Sequence, residues 1–315
     1  MKSWAVPWPK APTPGGGCVH KSAIAAALLL ASAGAGNAAL AQYFEGKPRL
    51  AQGEVDLTGG WLQKFHQDSH ERKEGPAIGD YTGLPVNDDA RLRANTWDPD
   101  KWTVPEHQCE PHPADYGPHG PANLQISKIL DPHSLKTVAI QVIVGWMVPV
   151  RTIWLDGRPH PSANAAHTWM GFSTGHWEGD TLIVETTHLK EGWIRRNGVA
   201  RSDKARLTEY WMRHDDVLTL VSIVNDPVYL TEPLMRSWSW TLDPGVHMTP
   251  YTCEAKVEVD RPQGFVAHWL PGTNPNLKEF PEKMHLPESV AQGGADQMYP
   301  EYQDVLKALP GAVAK

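Results

Sequence analysis

One short stretch of the chain concentrates groups that could carry acid–base chemistry. Residues 167–193 read HTWMGFSTGHWEGDTLIVETTHLKEGW and include His167, His176 and His188 among several acids. Histidine changes its charge near neutral pH, so such a cluster is a natural place to look for a general acid or base. The stretch also has the alternating pattern of a β-hairpin, so strand pairing decides which of these groups share a face.

The turn WEGD predicts that pairing. A three-residue loop ending at Gly179 needs the left-handed conformation only at glycine, whereas a two-residue loop would force Glu178 to positive φ. His176 then pairs with Asp180, beside the turn and exposed. The inward face is predicted to carry Met170, Phe172, Leu182 and Val184, with His188 at its far end.

These positions give the predicted catalytic groups. His188 is predicted to be an inward-facing acid or base near the mouth of a barrel; a core histidine bonded to a neighbouring strand is the alternative. His167, at the start of the strand, is a second acid–base candidate. Tyr229 lies on the loop VNDPVYLTEPL between strands, where ligand contacts are common, and is predicted to donate a hydrogen bond.

A second set of side chains is predicted to bind the substrate. Arg158 and His160 follow a strand end in RTIWLDGRPHP, and Arg195 belongs to a pair of arginines after His188. Paired arginines can hold an anionic group, although a surface turn is the alternative. The substrate-binding candidates are Arg158, His160, Arg195, Trp169 and Glu232.

No cofactor is predicted. The chain contains no G-x-S-x-G, phosphate-loop, dinucleotide or H-E-x-x-H motif. Ligand-type residues occur at His107, Cys109 and His112, but no second pair has matching spacing. A metal held by His160, His167 and His188 is the other arrangement considered, and the predicted metal set is none.

The amino terminus predicts export. Lys21 precedes an apolar run from Ala23 to Ala33, and Ala39-Leu40-Ala41 follows as a cleavage site, as in a secretory signal peptide. We expect a periplasmic or secreted chain, because the run is too short to span a bilayer stably. In an oxidising compartment, Cys109 and Cys253 predict one disulfide; two separate thiols are the alternative.

The net charge argues against two classes of partner. The 315 residues carry a formal charge of −7, and loss of the three lysines in residues 1–41 would make it −10. An acidic chain without a basic patch suits neither nucleic acid nor an anionic lipid surface. The expected partner is a small hydrophobic or aromatic molecule, and the oligomeric state is left open.

The remaining pattern predicts an all-β fold. Closely spaced strand-like segments joined by polar turns indicate an antiparallel meander, which is expected to close into a barrel because closure removes exposed edges. The segments are DLTGGWLQKF, TVAIQVIVGW, VRTIWLDG, the hairpin, ARLTEYWMRH, VLTLVSIVND, MRSWSWTLD and TPYTCEAKVEV. Gly59-x-Trp61 resembles the G-x-W signature of lipocalin-like, calycin-type barrels. The predicted parts are a leader (1–41), a barrel domain with Pro-rich N-terminal loops (42–270) and a C-terminal tail with a short helix (271–315).

The strings RTIWLDGRPHP, GFSTGHWEGDTLIVET and NDPVYLTEPL resemble a large, mostly uncharacterised family of exported bacterial proteins. The hallmark of that family is a DGRPHP…GxSxGxWEGDTLVVxT core followed by a DP…Y…P loop, and the resemblance extends from about Leu57 to Thr273. His176 departs from the family, in which a basic residue is more usual. The resemblance implies export and a β-rich fold, and it supplies no reaction.

Two functions follow from these patterns. The first is an exported, cofactor-independent enzyme of the lyase, isomerase or hydrolase type, which acts on a small hydrophobic or aromatic molecule in the barrel by histidine acid–base chemistry. The alternative is a periplasmic binding or carrier protein without catalysis. An ionisable group that faces inward lowers the stability of the fold unless it has hydrogen-bond or charge partners or serves a function. This favours the enzyme hypothesis over the carrier hypothesis.

Overall fold

The computed structural model describes residues 54–65, 76–99, 103–255, 260 and 262–309. The predicted leader and its cleavage site lie outside these ranges. In the described ranges, no helix is both long enough and apolar enough to cross a membrane.

The described residues form eleven strands and four α-helices. The strands are β1 (Gly59–Gln63), β2 (Leu124–Leu130), β3 (Thr137–Val144), β4 (Val150–Trp154), β5 (Phe172–Glu178), β6 (Thr181–Thr187), β7 (Gly192–Arg195), β8 (Val199–Arg201), β9 (Arg206–His214), β10 (Val217–Asn225) and β11 (Leu234–Leu242). The helices are α1 (Asp88–Thr96), α2 (Glu279–Met284), α3 (Glu288–Ala291) and α4 (Tyr302–Ala308).

Nine of the strands close into a barrel, in the order β1-β11-β10-β9-β6-β5-β4-β3-β2 and back to β1. The predicted closed, mostly β barrel with a short C-terminal helix is therefore confirmed. Strand β2 is not among the strand-like segments that the sequence predicts. It forms because its partners β1 and β3 pair with both of its edges, which its proline-rich surroundings do not reveal.

The predicted meander is interrupted once. Strands β4 and β5 run parallel, whereas every other neighbouring pair of the barrel is antiparallel. Parallel neighbours need a crossover connection of about a dozen residues or more. Residues 155–171 supply that connection, so the early part of the predicted hairpin, including His167 and Met170, is loop rather than strand.

The predicted register of the β5–β6 hairpin is wrong by three residues. Glu178 pairs with Thr181, and His176 pairs with Ile183 rather than with Asp180. Gly179 has a φ of 59° and is the first residue of a two-residue turn, so no residue with a β-carbon takes positive φ. A shift by an odd number of residues exchanges the two faces of one strand. Strand β5 therefore turns Ser173 rather than Phe172 to the interior.

Tryptophan side chains fill much of the barrel. Trp61 and Trp240 are fully buried and donate their indole N–H groups to the carbonyls of Leu57, at 3.0 Å, and Ala122, at 2.7 Å. Arg213 packs over the ring of Trp61 at 5.0 Å from its centroid. The interior is therefore a packed core rather than the wide ligand chamber that a lipocalin-like barrel implies.

A second apolar cluster contains residues of helix α1, of the β7–β8 hairpin and of the barrel strands β9 and β10. Ala90 and Ala94 of α1 pack there with Ile194, Leu207 and others. Asn87 caps α1 by accepting the Ala90 N–H at 2.9 Å.

Cys109 and Cys253 form the predicted disulfide. Residues 249–255, in contrast, are not a strand, although TPYTCEAKVEV has a strand pattern. Because β1 pairs with β11, the place beside β11 is taken and this segment has no strand partner in the barrel.

Candidate functional site

His188 does not lie inside the barrel, which corrects its predicted position. Strand β6 ends at Thr187, and His188 adopts a left-handed φ of 58°, which takes it off the alternation of the strand. Its ring is half-buried. The predicted role of His188 as an inward-facing acid or base is therefore wrong in its geometry.

Three of the predicted histidines nevertheless meet on the outer surface. The Nδ1 atoms of His160 and His188 both lie 2.7 Å from the hydroxyl of Thr187. The ring of His167 is 5.3 Å from that of His188, and its Nδ1 donates to the carbonyl of Leu189 at 2.9 Å. We call His160, His167, His188 and Thr187 the outer histidine group.

The hydrogen-bond partners fix the tautomers in this group. The Ser162 carbonyl can only accept, so Nε2 of His188 donates to it, at 2.9 Å. Nδ1 of neutral His188 then accepts the Thr187 hydroxyl proton, and Nδ1 of His160 must donate to the same oxygen. Nε2 of His160 accepts from the Thr174 hydroxyl at 2.8 Å. The arrangement is complete with neutral histidines and fastens loop 155–171 to the barrel.

The electrostatics of His160 agree with a neutral ring. Burial is the largest cause that lowers the pKa of His160; Glu185 opposes this, and the neighbouring cations, Arg206 and His188 when it is protonated, lower the pKa further. In the described part of the chain, no three histidine, cysteine or carboxylate side chains are placed to hold a metal ion. The ring nitrogens of this group already hydrogen-bond to oxygen atoms of neighbouring residues. The partners are the hydroxyls of Thr174 and Thr187 and the carbonyls of Ser162 and Leu189.

The predicted binding residues near this loop hold local structure. Arg158 pairs with Asp156 at 2.5 Å and stacks 3.4 Å from the Trp154 ring centroid. Trp169 lies under the ammonium group of Lys190 at 4.8 Å. Both contacts lie at the surface, and neither side chain lines the cavity described below.

The other predicted residues are dispersed. Arg195 bonds the carboxylate of Asp80 at 2.8 Å, and the Tyr229 hydroxyl accepts from Arg93 at 2.5 Å. Glu232 accepts from the hydroxyl of Tyr299 at 3.1 Å. These contacts join separate segments of the chain to each other, and none of the three includes His188.

The barrel interior contains a polar group that the sequence analysis missed. Arg151 of β4 donates to both carboxylate oxygens of Glu209 of β9, one of them at 3.0 Å. It also donates to the Ser173 hydroxyl at 3.0 Å and the Thr186 hydroxyl at 2.7 Å. All four side chains are almost fully buried. We call Arg151, Glu209, Ser173 and Thr186 the inner arginine group.

A cavity lies beside the inner arginine group. It encloses about 350 Å³ of space free of protein atoms, part of which is continuous with solvent. Its barrel wall includes Arg151, Trp211 and apolar residues of β2 and β3, and loop residues 112–118 form the opposite wall. Only about 20 Å³ of this space can hold the centre of a water-sized sphere, which is room for about one water molecule, so a larger ligand would require the wall to move.

His112 is the titratable side chain on the loop side of this cavity. It is 2% exposed, and its Nε2 lies 3.1 Å from Oε1 of Glu106. Burial raises the pKa of Glu106, but the contact with His112 and the charges of His112 and Arg196 outweigh burial and lower the pKa to about 2. Neither ring nitrogen of His112 has a hydrogen bond of good geometry among the described residues. Glu106 thus places a carboxylate oxygen beside Nε2 of His112.

Two signals in the sequence could have located these groups. Arg151 and Glu209 occupy inward positions of strands that otherwise alternate cleanly, since Glu209 lies between Leu207 and Trp211 on one face. His112 was noted only as a metal ligand in a loop. Its place at the cavity depends on long-range packing, which no local pattern encodes.

Comparison with known proteins adds no assignment. No protein-family model matches the chain, and no curated protein is significantly similar to it.

Proposed function

We propose that the protein binds a small, mainly apolar molecule in the cavity beside the inner arginine group and acts on it with His112 as general acid or base. The reaction would be of the lyase, isomerase or hydrolase type and would need no cofactor. His112 replaces His188 in the role predicted from the sequence.

The buried pair of Glu106 and His112 at the cavity wall carries this proposal. A histidine that is oriented by a carboxylate through one nitrogen keeps the other nitrogen available for proton transfer. Burying an imidazole whose Nδ1 has no partner costs free energy, which a functional role would explain. Trp211 and Met170 supply apolar wall around it.

Export belongs to the same proposal. The Cys109–Cys253 disulfide supports an oxidising compartment, because such bonds are rare in the cytosol. The apolar run from Ala23 to Ala33 and the resemblance to an exported family agree with a periplasmic or secreted location.

Binding without turnover is the second candidate. Arg151, the other ionisable residue of the cavity wall, is fully committed to Glu209, Ser173 and Thr186. A wall with one available titratable group also suits a carrier that only positions its ligand.

Ligand identification followed by turnover assays tests the proposal. Small molecules released from the protein purified from its native source would be identified by mass spectrometry and offered as substrates. His112→Gln is expected to lower the rate by about 10²–10⁴-fold, the usual contribution of a general acid or base. Ligand affinity should be largely retained.

His176→Gln is the matched control, because His176 is an exposed histidine beside a turn and pairs with Glu178. It should leave the rate unchanged. Loss of rate in His188→Gln with full activity in His112→Gln would overturn the assignment and move the site to the outer histidine group. Retained ligand without turnover in any variant would support the carrier.

A further inference from the structure

The outward side chains of four neighbouring strands form a continuous surface without charge. Strands β6, β9, β10 and β11 lie side by side in the barrel, and residues paired across neighbouring strands point to the same side of the sheet. Tyr210 of β9, for example, lies between Ile183 of β6 and Val221 of β10. We define the uncharged outer face as the outward residues Thr181, Ile183, Thr208, Tyr210, Met212, Val217, Thr219, Val221, Ile223, Met235, Ser237, Ser239 and Thr241.

Charged and titratable residues lie at the border of this face. Glu185 lies on its β6 side, and Arg206 and His214 lie at the two ends of β9. Strand β5, the next strand of the barrel, turns His176 and Glu178 outward, and both are exposed. An uncharged centre with a polar rim is the usual anatomy of a protein–protein interface.

The apolar side chains of this face do not belong to the core. Ile183, Tyr210, Val221 and Ile223 are members of neither apolar cluster of the described residues, and Met235 is 65% exposed. Tyrosine and methionine are enriched at interfaces, whereas lysine, glutamate and aspartate are depleted there. A large contiguous patch of this composition on a soluble protein marks a surface that binds a partner.

The dimensions of the face suit a small interface. It extends about 15–20 Å across four strands, at about 4.8 Å per strand, and about 25 Å along them. Two copies that met through it would bury a total of about 1,000 Å², which is near the lower limit for a specific interface.

The charge of the chain favours a second copy of itself as the partner. The formal charge is −7, so two copies repel each other unless they meet through surfaces without excess negative charge. A two-fold contact brings the same patch of both copies together. Apolar side chains and hydroxyls are complementary to their own kind, whereas like charges are not. The nine described strands of the barrel close on themselves, so the barrel offers a second copy a face rather than a free strand edge.

We infer that the uncharged outer face binds a second copy of the chain in a two-fold symmetric dimer centred near Tyr210 and Val221. These residues lie opposite each other on β9 and β10, in the middle of the face. Tyrosine is among the residues that contribute most to binding when they lie at the centre of an interface. The small area predicts a weak dimer, with a dissociation constant of about 1–100 µM. The inference does not depend on the cavity.

Sedimentation equilibrium of the protein purified from its native source, without reductant, tests the inference. The mass should rise from that of a monomer to that of a dimer as the concentration increases from about 1 to about 500 µM. Tyr210→Lys and Thr219→Lys each place a cation near the two-fold axis, where it faces its own copy. Each should raise the dissociation constant at least about tenfold, because like charges that meet in an interface are costly.

Gln141→Lys is the matched control, because Gln141 turns outward from β3 on the opposite side of the closed barrel. It should leave the dissociation constant unchanged. Circular dichroism would confirm that each variant is folded, and the unaltered protein decides the question of association if a variant is not. A monomer at every concentration would overturn the inference. A dimer that persists with unchanged affinity in Thr219→Lys and Tyr210→Lys would overturn the assignment of this face.

Discussion

The two faces of the β5–β6 hairpin serve different electrostatic purposes. Ser173 and Thr186 face inward and accept hydrogen bonds from Arg151, while Thr174 and Thr187 face outward and bond His160. The inner group contains a buried charge pair, and the outer group is complete with neutral rings. Neighbouring serine and threonine hydroxyls thus bond a buried charged pair on the inner face of the sheet. On the outer face they fix the tautomers of neutral histidines.

The inner arginine group and the outer histidine group should respond differently to the loss of one side chain. A buried ion pair costs solvation energy that only its partner offsets, so loss of one partner leaves an uncompensated charge. A neutral histidine that loses one hydrogen bond at the surface can turn to water instead. The inner group should therefore be fragile to single substitutions and the outer group tolerant of them.

The largest effect is expected in the inner group. Glu209→Leu should lower the free energy of unfolding by about 3–5 kcal/mol, because Arg151 remains buried and unpaired. Adding Arg151→Met should recover most of that loss. Urea titration followed by tryptophan fluorescence measures both, with Asp304→Asn in the exposed Asp304–Lys307 pair as a control expected to change stability by less than about 0.5 kcal/mol. A double variant as unstable as the single one would contradict this account.

An intermediate and pH-dependent effect is expected at Glu106. Its pKa of about 2 lies below the ordinary 4.5, so its contribution is complete above pH 4.5 and is lost as the pH falls towards 2. Glu106→Gln should therefore cost about 3 kcal/mol at pH 7 and almost nothing near pH 2.

Unfolding curves of Glu106→Gln and of the unaltered protein, taken across this pH range without reductant, make the measurement. Glu178→Gln is the control, because Glu178 is exposed and its contact with His176 is at the surface. If the difference in unfolding free energy between Glu106→Gln and the unaltered protein were the same at neutral and acid pH, the charge of Glu106 would not be what stabilises the folded protein.

The smallest effect is expected in the outer histidine group. Thr187→Val removes the hydroxyl that joins His160 to His188, and it should cost about 1 kcal/mol in thermal or urea unfolding. Thr208→Val, on the outer face of β9, is the matched control and should change stability by less than about 0.5 kcal/mol. If Thr187→Val cost as much as Glu209→Leu, the distinction between the two groups would fail.

The parts of the fold that depend on local alternation could be predicted. The inward residues of β9 and β10 follow a strict two-residue period, and Asn87 before α1 is a recognisable cap. The disulfide was predicted by counting the cysteines outside the predicted leader. These features need no knowledge of which distant segment packs where.

The position of the β5–β6 turn and the features that depend on distant packing could not be predicted from the sequence. Placing the turn at residues 177–179 instead of 179–180 shifted the predicted pairing by three residues and inverted β5, so that Phe172 was predicted to face inward in place of Ser173. Glu106 and His112 are recognisable only after residues 112–118 are seen to form one wall of the cavity. Their pairing arises from loop packing, and the hairpin histidines were more conspicuous in the sequence for reasons of spacing alone.

The Cys109–Cys253 bond has a topological consequence. The two cysteines are separated by 144 residues, and strands β2 to β11 all lie between them, so these strands belong to one covalent ring. Strand β1 lies outside the ring and completes the barrel by pairing with β2 and β11. A single proteolytic cut within the ring would therefore leave one linked molecule, which separates into two pieces only after reduction.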